Sequence, residues 1–361
     1  MSRVVLAMSG GVDSSVAAWL LRQQGHDVIG LFMRHGVELE SCAVESGKPA
    51  RRRQGCCSAA DAADARRVAD LLGIPFYALN FEEEFGRIVD YFVDEYTRGR
   101  TPNPCIVCNT WLKFGKLFQY ADSVGARYVA TGHHARLVPT SDPELPALCR
   151  GRDEAKDQSY VLFGIDRSLL ARLSLPVGEH QKEEIRRIAT ELGFGVADKP
   201  DSQEICFVPD QDHARLVRQR RGGRDTSGEI VTTDGRVVGR HDGLEHFTVG
   251  QRKGLGVAFG ERRYVVRLEA DTRRVVVGAR DELARRELNA GGANWLIRPP
   301  SEPLRCQVKI RYRSRSEWAT VEPLADRRFR VVFDEPRHGV APGQAVVCYD
   351  GERLLGGGWI E

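Results

Sequence analysis

The stretch AMSGGVDSSVAAWLL (7–21) constrains the fold of this chain more than any other. A β-branched run, RVVLAM (3–8), leads into it, and 13–24 leaves it with helical periodicity, stopped by Gly25. A strand that becomes a helix through two glycines brings backbone amides and a helix N-terminus to one point, where a phosphate is stabilised. The nucleoside-triphosphatase loop is excluded because no GK[ST] follows, and the dinucleotide pattern GxGxxG is absent. The loop and its hydroxyls on Ser9, Ser14 and Ser15 suit one compact dianion such as pyrophosphate, and Asp13 could help place Mg2+. A bare glycine turn between strand and helix is often only a tight turn. The complete SGGVDS string favours ATP.

The alternation continues. HDVIGLFM (26–33) reads as a second strand, and 61–72 as a helix ended by Gly73 with Pro75 beyond. IPFYALN (74–80) and ARYVATGHH (126–134) are further strands, with a helical stretch over 114–122 before the latter and another over 182–192. This pattern predicts an α/β doubly wound parallel sheet with helices on both faces. Ligands on such sheets bind beyond the carboxyl ends of the strands, where SGG, FMRH and TGHH fall. Residues 34–57 read as an irregular loop. From about 226 onward come short alternating runs separated by glycines, with Asp-Gly turns at 234–235 and 350–351. The expected organisation is a catalytic domain over 1–207, a small central domain over 208–288 and a C-terminal β-barrel over 289–361, with a turn at NAGG (289–292) near the last boundary.

Net charge is only +3, yet 304–330 holds eight Lys/Arg against three Asp/Glu, and 215–224 holds five Arg against none. A single run of this kind is ordinarily solvated surface, but two in one half of a chain point to a polyanion partner. No run of about eighteen apolar residues occurs, and MSRVVLAMSGG lacks the shape of a signal peptide. A cytosolic protein with no membrane partner is expected. Nine cysteines in such a chain are expected to be reduced, so any special ones are nucleophiles or metal ligands. The segment NPCIVCN (103–109) is the most pointed case. Two thiols three residues apart serve as half a zinc site, a redox dithiol, two ligands of an iron–sulfur cluster, or two inert buried cysteines.

SGGVDS resembles the signature of the PP-loop ATP pyrophosphatases, which cleave ATP between its α- and β-phosphates to adenylate an oxygen. No glutamine amidotransferase segment accompanies it, which disfavours the ammonia-using members. GRTPNPCIVCNTWLKFG, ATGHHAR, KDQSYVL, DKPDSQEICFV, VGQRKGLG, KIRYR and APGQAVV together resemble the bacterial tRNA-specific 2-thiouridylases, in that family's order and across essentially the whole chain. The resemblance implies replacement by sulfur of the C2 oxygen of the wobble uridine in tRNAs for Lys, Glu and Gln. ATP adenylates that oxygen, AMP leaves, and a sulfur donor protein such as a cysteine desulfurase or a relay protein supplies the sulfur. It further implies ATP contacts from Ala7, Met8, Ser9, Gly10, Gly11, Val12, Asp13, Ser14, Met33 and Gly132. Asn103, Pro104 and Cys105 would line the target-base pocket, and His133, Lys156, Asp157, Gln158, Arg311, Tyr312 and Gln344 would face tRNA, with Arg311 and Tyr312 side by side on one strand.

By the same resemblance, Cys206 accepts a persulfide and Cys108 is the nucleophile that helps free its sulfur, leaving a disulfide between them. Thiolate character is required of both. Cys105 departs from the family, most members of which carry Asp there, giving NPDxxCN. With Cys108 and Cys206 it makes three thiols, the number that ligates a 4Fe-4S cluster with one iron left open. Such an iron would hold hydrosulfide for attack on C2. A cluster on Cys105, Cys108 and Cys206 is therefore expected, with a metal-free relay as the alternative. Cys56 and Cys57 read as structural residues near the ATP pocket, and Cys149, Cys306 and Cys348 as inert.

Overall fold

The computed structural model describes residues 1–36, 58–142, 145–201, 205–208 and 212–361, so Cys56 and Cys57 lie outside the described residues. The chain divides into two compact units. One comprises Met1–Arg87 with Cys105–Gln211, the other Ile88–Pro104 with Asp212–Glu361.

In the first unit, β1 (Arg3–Ala7), α1 (Val12–Gln23), β2 (Asp27–Arg34), α2 (Ala59–Leu72) and β3 (Phe76–Asn80) follow one another, and α3 (Glu82–Thr97) begins. After α4 (Pro104–Val107) the chain runs as a π-helix over Cys108–Lys116 into α5 (Leu117–Ser123) and β4 (Tyr128–Thr131). A hairpin of β5 (Ala135–Val138) and β6 (Ala147–Arg150), then β7 (Leu173–Ser174) and α6 (Lys182–Glu191), complete it. The sheet order is β3-β2-β1-β4-β7, parallel throughout. Val4, Val5 and Leu6 of β1 are at most 1% exposed, as a strand covered on both faces requires. Val12, Val16, Ala17 and Leu21 recur at helical spacing on α1 and pack with Ala65, Val68 and Ala69 of α2 and Ile185 and Ala189 of α6. α2 starts at a capping box between Ser58 and Asp61 and stops at Gly73, whose φ is +62°. The chain leaves β1 toward β2 on one side and returns through β4 on the other. The β1–β4 seam is the switch point where such sheets bind ligands.

In the second unit, α7 (His213–Arg220) precedes a four-stranded sheet of order β10-β11-β8-β9, made of β8 (Gly228–Thr232), β9 (Val237–His241), β10 (Tyr264–Glu269) and β11 (Arg274–Gly278). β12 (Ala284–Trp295), β13 (Leu304–Lys309), β14 (Glu317–Leu324), β15 (Arg328–His338), β16 (Ala345–Asp350) and β17 (Arg353–Ile360) follow. Their order, β12-β15-β14-β13-β16-β17, closes through β12–β17 pairing into a six-stranded barrel. Closure removes the sheet edges. The barrel interior is filled by Ala290, Val308, Ala319, Val331, Phe333 and Val346 among others.

Three expectations need correction. NAGG is not a turn: it lies inside β12, which pairs with β15 through Ala284–Ala290 and with β17 through Ala290–Trp295. The register shifts between Gly291 and Asn294, and Gly292 has φ +61°. Glycines bend the strand round a barrel corner there instead of ending it. Arg311 and Tyr312 do not share a strand, because β13 stops at Lys309 and they occupy the turn that follows. The 114–122 helix is the end of a helical run that starts at Pro104. The Asp-Gly turns do join β8 to β9 and β16 to β17 as expected.

Candidate active site

The turn from β1 into α1 is built by its own side chains. Ser14 Oγ donates to the Gly11 carbonyl at 3.1 Å and accepts from the Ser9 amide at 3.2 Å, while Ser15 Oγ donates to the same carbonyl at 2.9 Å. Ser14 and Ser15 are buried, so they brace the loop. Gly10 has φ +73°, and a Cβ there would stand 2.2 Å from the Asp61 carbonyl oxygen. Only glycine satisfies both demands. Gly132, one residue beyond β4, approaches the same turn, since its Cβ would meet the Ser14 amide nitrogen at 2.7 Å. Met33, near the end of β2, is half-buried. The phosphate loop, Met33 and Gly132 therefore all stand at the carboxyl ends of β1, β2 and β4.

Asp13 carries the loop's charge chemistry. Both its carboxylate oxygens accept from Lys182 Nζ at 2.7 Å, and His134 Nε2 lies 3.0 Å from Oδ1. Burial alone would raise its pKa, but the hydrogen bond from His134 and the Lys182 charge hold it below the usual carboxylate range. An Asp13 so occupied fits a loop anchor better than an open Mg2+ ligand. Lys182 also reaches Asp201 Oδ1 at 2.8 Å, and Asp201 gathers Lys156 at 2.8 Å and Arg186 at 3.0 Å. Burial would raise the Asp201 pKa, but the hydrogen bonds and charges of Lys156 and Lys182 lower it to about 2. On the other side of the loop, Lys199 Nζ donates to the Gly10 carbonyl at 2.8 Å, Asp61 at 2.5 Å and Asp64 at 2.8 Å. Sequence reasoning missed His134, Lys182, Lys199 and Asp201. The signal for two of them lay in DKPDSQEIC, which contains charged residues that sulfur chemistry alone does not require.

The residues expected to face tRNA are largely engaged in the fold. His133 is 7% exposed. Its Nδ1 lies 2.7 Å from Thr131 Oγ1, and its Nε2 lies 3.5 Å from the Lys113 ammonium on the π-helix. An ammonium can only donate, so Nε2 is the acceptor and Nδ1 carries the proton. Burial, then the Lys113 charge, pushes the His133 pKa well below its ordinary value and keeps the ring neutral. Asp157 is buried and accepts from the Gly151 and Ser159 amides, while Gln158 Oε1 accepts from the His134 amide at 2.9 Å. In the second unit, Gln344 Nε2 donates to the Thr101 and Pro102 carbonyls at 3.0 and 3.2 Å. Arg311 donates to the Gly339 and Val249 carbonyls at 3.1 and 2.8 Å. Tyr312 is 37% exposed, with Lys309 Nζ 5.6 Å from its ring centre.

Pro104 opens the helical run, where its fixed φ suits the first helical position, and Asn103 precedes it. Cys105 is exposed, and Cys108 and Cys206 are half-buried. Among the described residues, no three His, Cys, Asp or Glu side chains stand as a metal-holding group. The described residues therefore lend no support to the expected cluster on Cys105, Cys108 and Cys206, and no step is derived through it. Cys306 and Cys348, inside the barrel, are buried, and the hydrogen bond between them together with burial raises the Cys348 pKa, which keeps that thiol protonated. Among the described residues no helix is long and apolar enough to cross a membrane.

A parallel α/β unit whose first strand enters its helix through SGGVDS, joined in one chain to a small β module and a closed barrel, defines a PP-loop nucleotide-binding protein with β-barrel appendages. Three family models match in succession: "tRNA methyl transferase HUP domain" over 2–210, "tRNA methyl transferase PRC-barrel domain" over 217–279 and "Aminomethyltransferase beta-barrel domain" over 285–360. A tRNA-specific 2-thiouridylase of Rhodopirellula baltica is 53% identical, over 100% of this chain and 96% of its own length. One from Geobacter metallireducens is 49% identical over 99% and 96%. The chain belongs to the tRNA-specific 2-thiouridylase family. Among solved structures, a 4-thiouridine synthetase–RNA complex with bound ATP overlays at a TM-score of 0.36 and 16% identity, covering 60% of this chain and 50% of that one.

Proposed function

We propose that the protein is an ATP-dependent tRNA-uridine 2-sulfurtransferase acting on the wobble uridine of tRNAs for Lys, Glu and Gln. The observation that carries this reading is the presence, in one unit of a chain from that family, of the anchored SGGVDS loop and of Cys108 and Cys206. A uridine C2 carbonyl is a poor electrophile. With ATP and its Mg2+ as substrate, the C2 oxygen attacks the α-phosphorus, the bond to the β-phosphate oxygen breaks, and pyrophosphate leaves. The loop amides and the N-terminus of α1 stabilise the phosphates. The target base must leave its stack, which costs little for a nucleotide in a single-stranded loop.

Sulfur then travels as a persulfide on Cys206, loaded by a donor protein. Its terminal sulfur bonds to C2 as the C2–O bond breaks and AMP departs. The Cys108 thiolate attacks Sγ of Cys206, leaving the electron pair on the thiouridine sulfur and a Cys108–Cys206 disulfide for an external dithiol to reduce. Asn103, Pro104 and Cys105 line the base pocket, and Tyr312 supplies a ring on which a nucleotide can stack. Incubation with substrate tRNA, MgATP and a persulfide donor is expected to yield one 2-thiouridine and one AMP per event. Cys108→Ser and Cys206→Ser are expected to abolish thiouridine. Iron and sulfide bound one cluster per chain in an active, anaerobically purified enzyme would overturn the relay in favour of the cluster. Unmodified tRNA from the wild-type enzyme would sink the whole reading.

A further inference from the structure

We propose that Lys199 and Asp201 form a charge clasp that positions the Cys206 segment against the phosphate loop, so that sulfur reaches the adenylated base before water does. The proposal rests on the functional reading above and concerns coupling, the step between activation and sulfur attack.

The tetrapeptide Asp198-Lys199-Pro200-Asp201 grips the loop at two points. Lys199 Nζ holds the Gly10 carbonyl at 2.8 Å together with Asp61 and Asp64 of α2. Asp201 holds Lys182, whose ammonium passes the connection to both oxygens of Asp13 in the first turn of α1. Lys156 from the segment after β6, and Arg186 one turn beyond Lys182 on α6, close round Asp201. Pro200 between the two grips has a fixed φ and biases Lys199 toward extended backbone, so the pair is presented with little chain freedom. Five residues after Asp201 in sequence comes Cys206. Immediately after it, Phe207 is 4% exposed and packs edge-on against Phe85 at 5.6 Å between ring centres. The sulfur-bearing residue is thus bracketed by an ionic anchor and an apolar one.

A network serving stability alone is a weak account of this arrangement. The Lys182 side chain is 5% exposed and those of Asp201 and Lys199 are 21% and 24% exposed. Desolvating charges costs free energy that apolar residues of similar volume would not require. Position is what the charges supply. If the thiol segment is misplaced, water attacks C2, displaces AMP and regenerates uridine, so that ATP is consumed without sulfur insertion.

The test is the ratio of 2-thiouridine formed to AMP released, measured on the full chain with tRNA, MgATP and a persulfide donor. Asp201→Asn keeps the shape and removes the anion that three cations share. Its ratio is expected to fall by about a hundredfold, the scale of a reacting group displaced by about 1 Å, over and above any loss of AMP release through the Lys182–Asp13 link. Asp201→Glu is expected to recover part of the ratio. If Asp201→Asn does not fold, Lys199→Arg and Asp201→Glu carry the same measurement, each with a lowered ratio expected. A wild-type ratio in the folded variants, with AMP and thiouridine falling together, would overturn the clasp. A wild-type enzyme that releases AMP and never thiolates tRNA fails earlier and overturns the functional reading instead.

Discussion

His133 shows how a single side chain ties the site to pH. Folded, it is neutral, because burial and the neighbouring Lys113 disfavour the imidazolium. Unfolded, it takes up a proton below about pH 6.5. The unfolded state therefore binds more protons at acid pH, so stability is full above that value and is lost as pH falls below it. The expected slope is at most about 1.4 kcal/mol per pH unit. Urea unfolding midpoints of wild type at pH 5 and pH 7.5 are expected to differ more than those of His133→Gln. Equal differences would mean that the ring is charged in the fold. Gly132 makes a second prediction at this scale. In Gly132→Ala the new methyl meets the Ser14 amide of the phosphate loop, so the KM for ATP is expected to rise about tenfold or more, with tRNA affinity retained.

At the scale of elements, the π-helix Cys108–Lys116 stands out, because π-turns are rare and concentrate at functional sites. It carries Cys108, and Asn109 at 3% exposure donates to the Val161 carbonyl at 3.1 Å. Gly164 packs beside it, and a Cβ there would stand 2.2 Å from Thr110 Oγ1. Gly164→Ala is expected to cost about 1–3 kcal/mol and to lower the rate of thiouridine formation. Adding Thr110→Ala should return most of the loss, and additive losses in that double mutant would disprove the packing account. The π-turn was not legible in NPCIVCNTWLKFG, where periodicity gives a helix over 114–122 that stops short of Cys105 and Cys108. What was legible was local: the strand–glycine–helix turn, the alternation of the β half and the Asp-Gly hairpins all need only neighbours in sequence. The partners of Asp13 and Gly10 lie 169 and 189 residues away. No periodicity or spacing encodes a lysine that meets its carboxylate at that separation, so the partners of Lys182 and Lys199 appear only once the chain is folded. The NAGG error has a similar origin, because consecutive glycines read as a turn when the strands on both sides are unknown.

For the whole molecule, the question is how a chain of net charge +3 holds a polyanion. The basic clusters answer it by uneven distribution, but they are not equivalent. In the 304–330 cluster, Arg305 pairs with Asp334, Arg328 with Glu361 and Arg330 with Glu287. Exposed pairs of this kind contribute little to stability, and they also leave less net charge for phosphate. Arg311 is committed to two backbone carbonyls, so Arg311→Ala is expected to weaken the fold as well as tRNA binding. Arg218 and Arg224, on or just after α7, are exposed and present their charge to solvent. The two kinds of contact separate in a salt titration. Arg218→Ala removes one counterion-releasing contact and should lower the slope of log K against log salt by about 1. Tyr312→Ala removes a stacking surface and no charge. It should weaken tRNA binding by about tenfold at every salt concentration and leave the slope unchanged. Filter binding of a substrate anticodon stem-loop across a salt series measures both quantities. A changed slope for Tyr312→Ala, or an unchanged one for Arg218→Ala, would reverse the assignment of stacking to the barrel turn and of phosphate contact to α7.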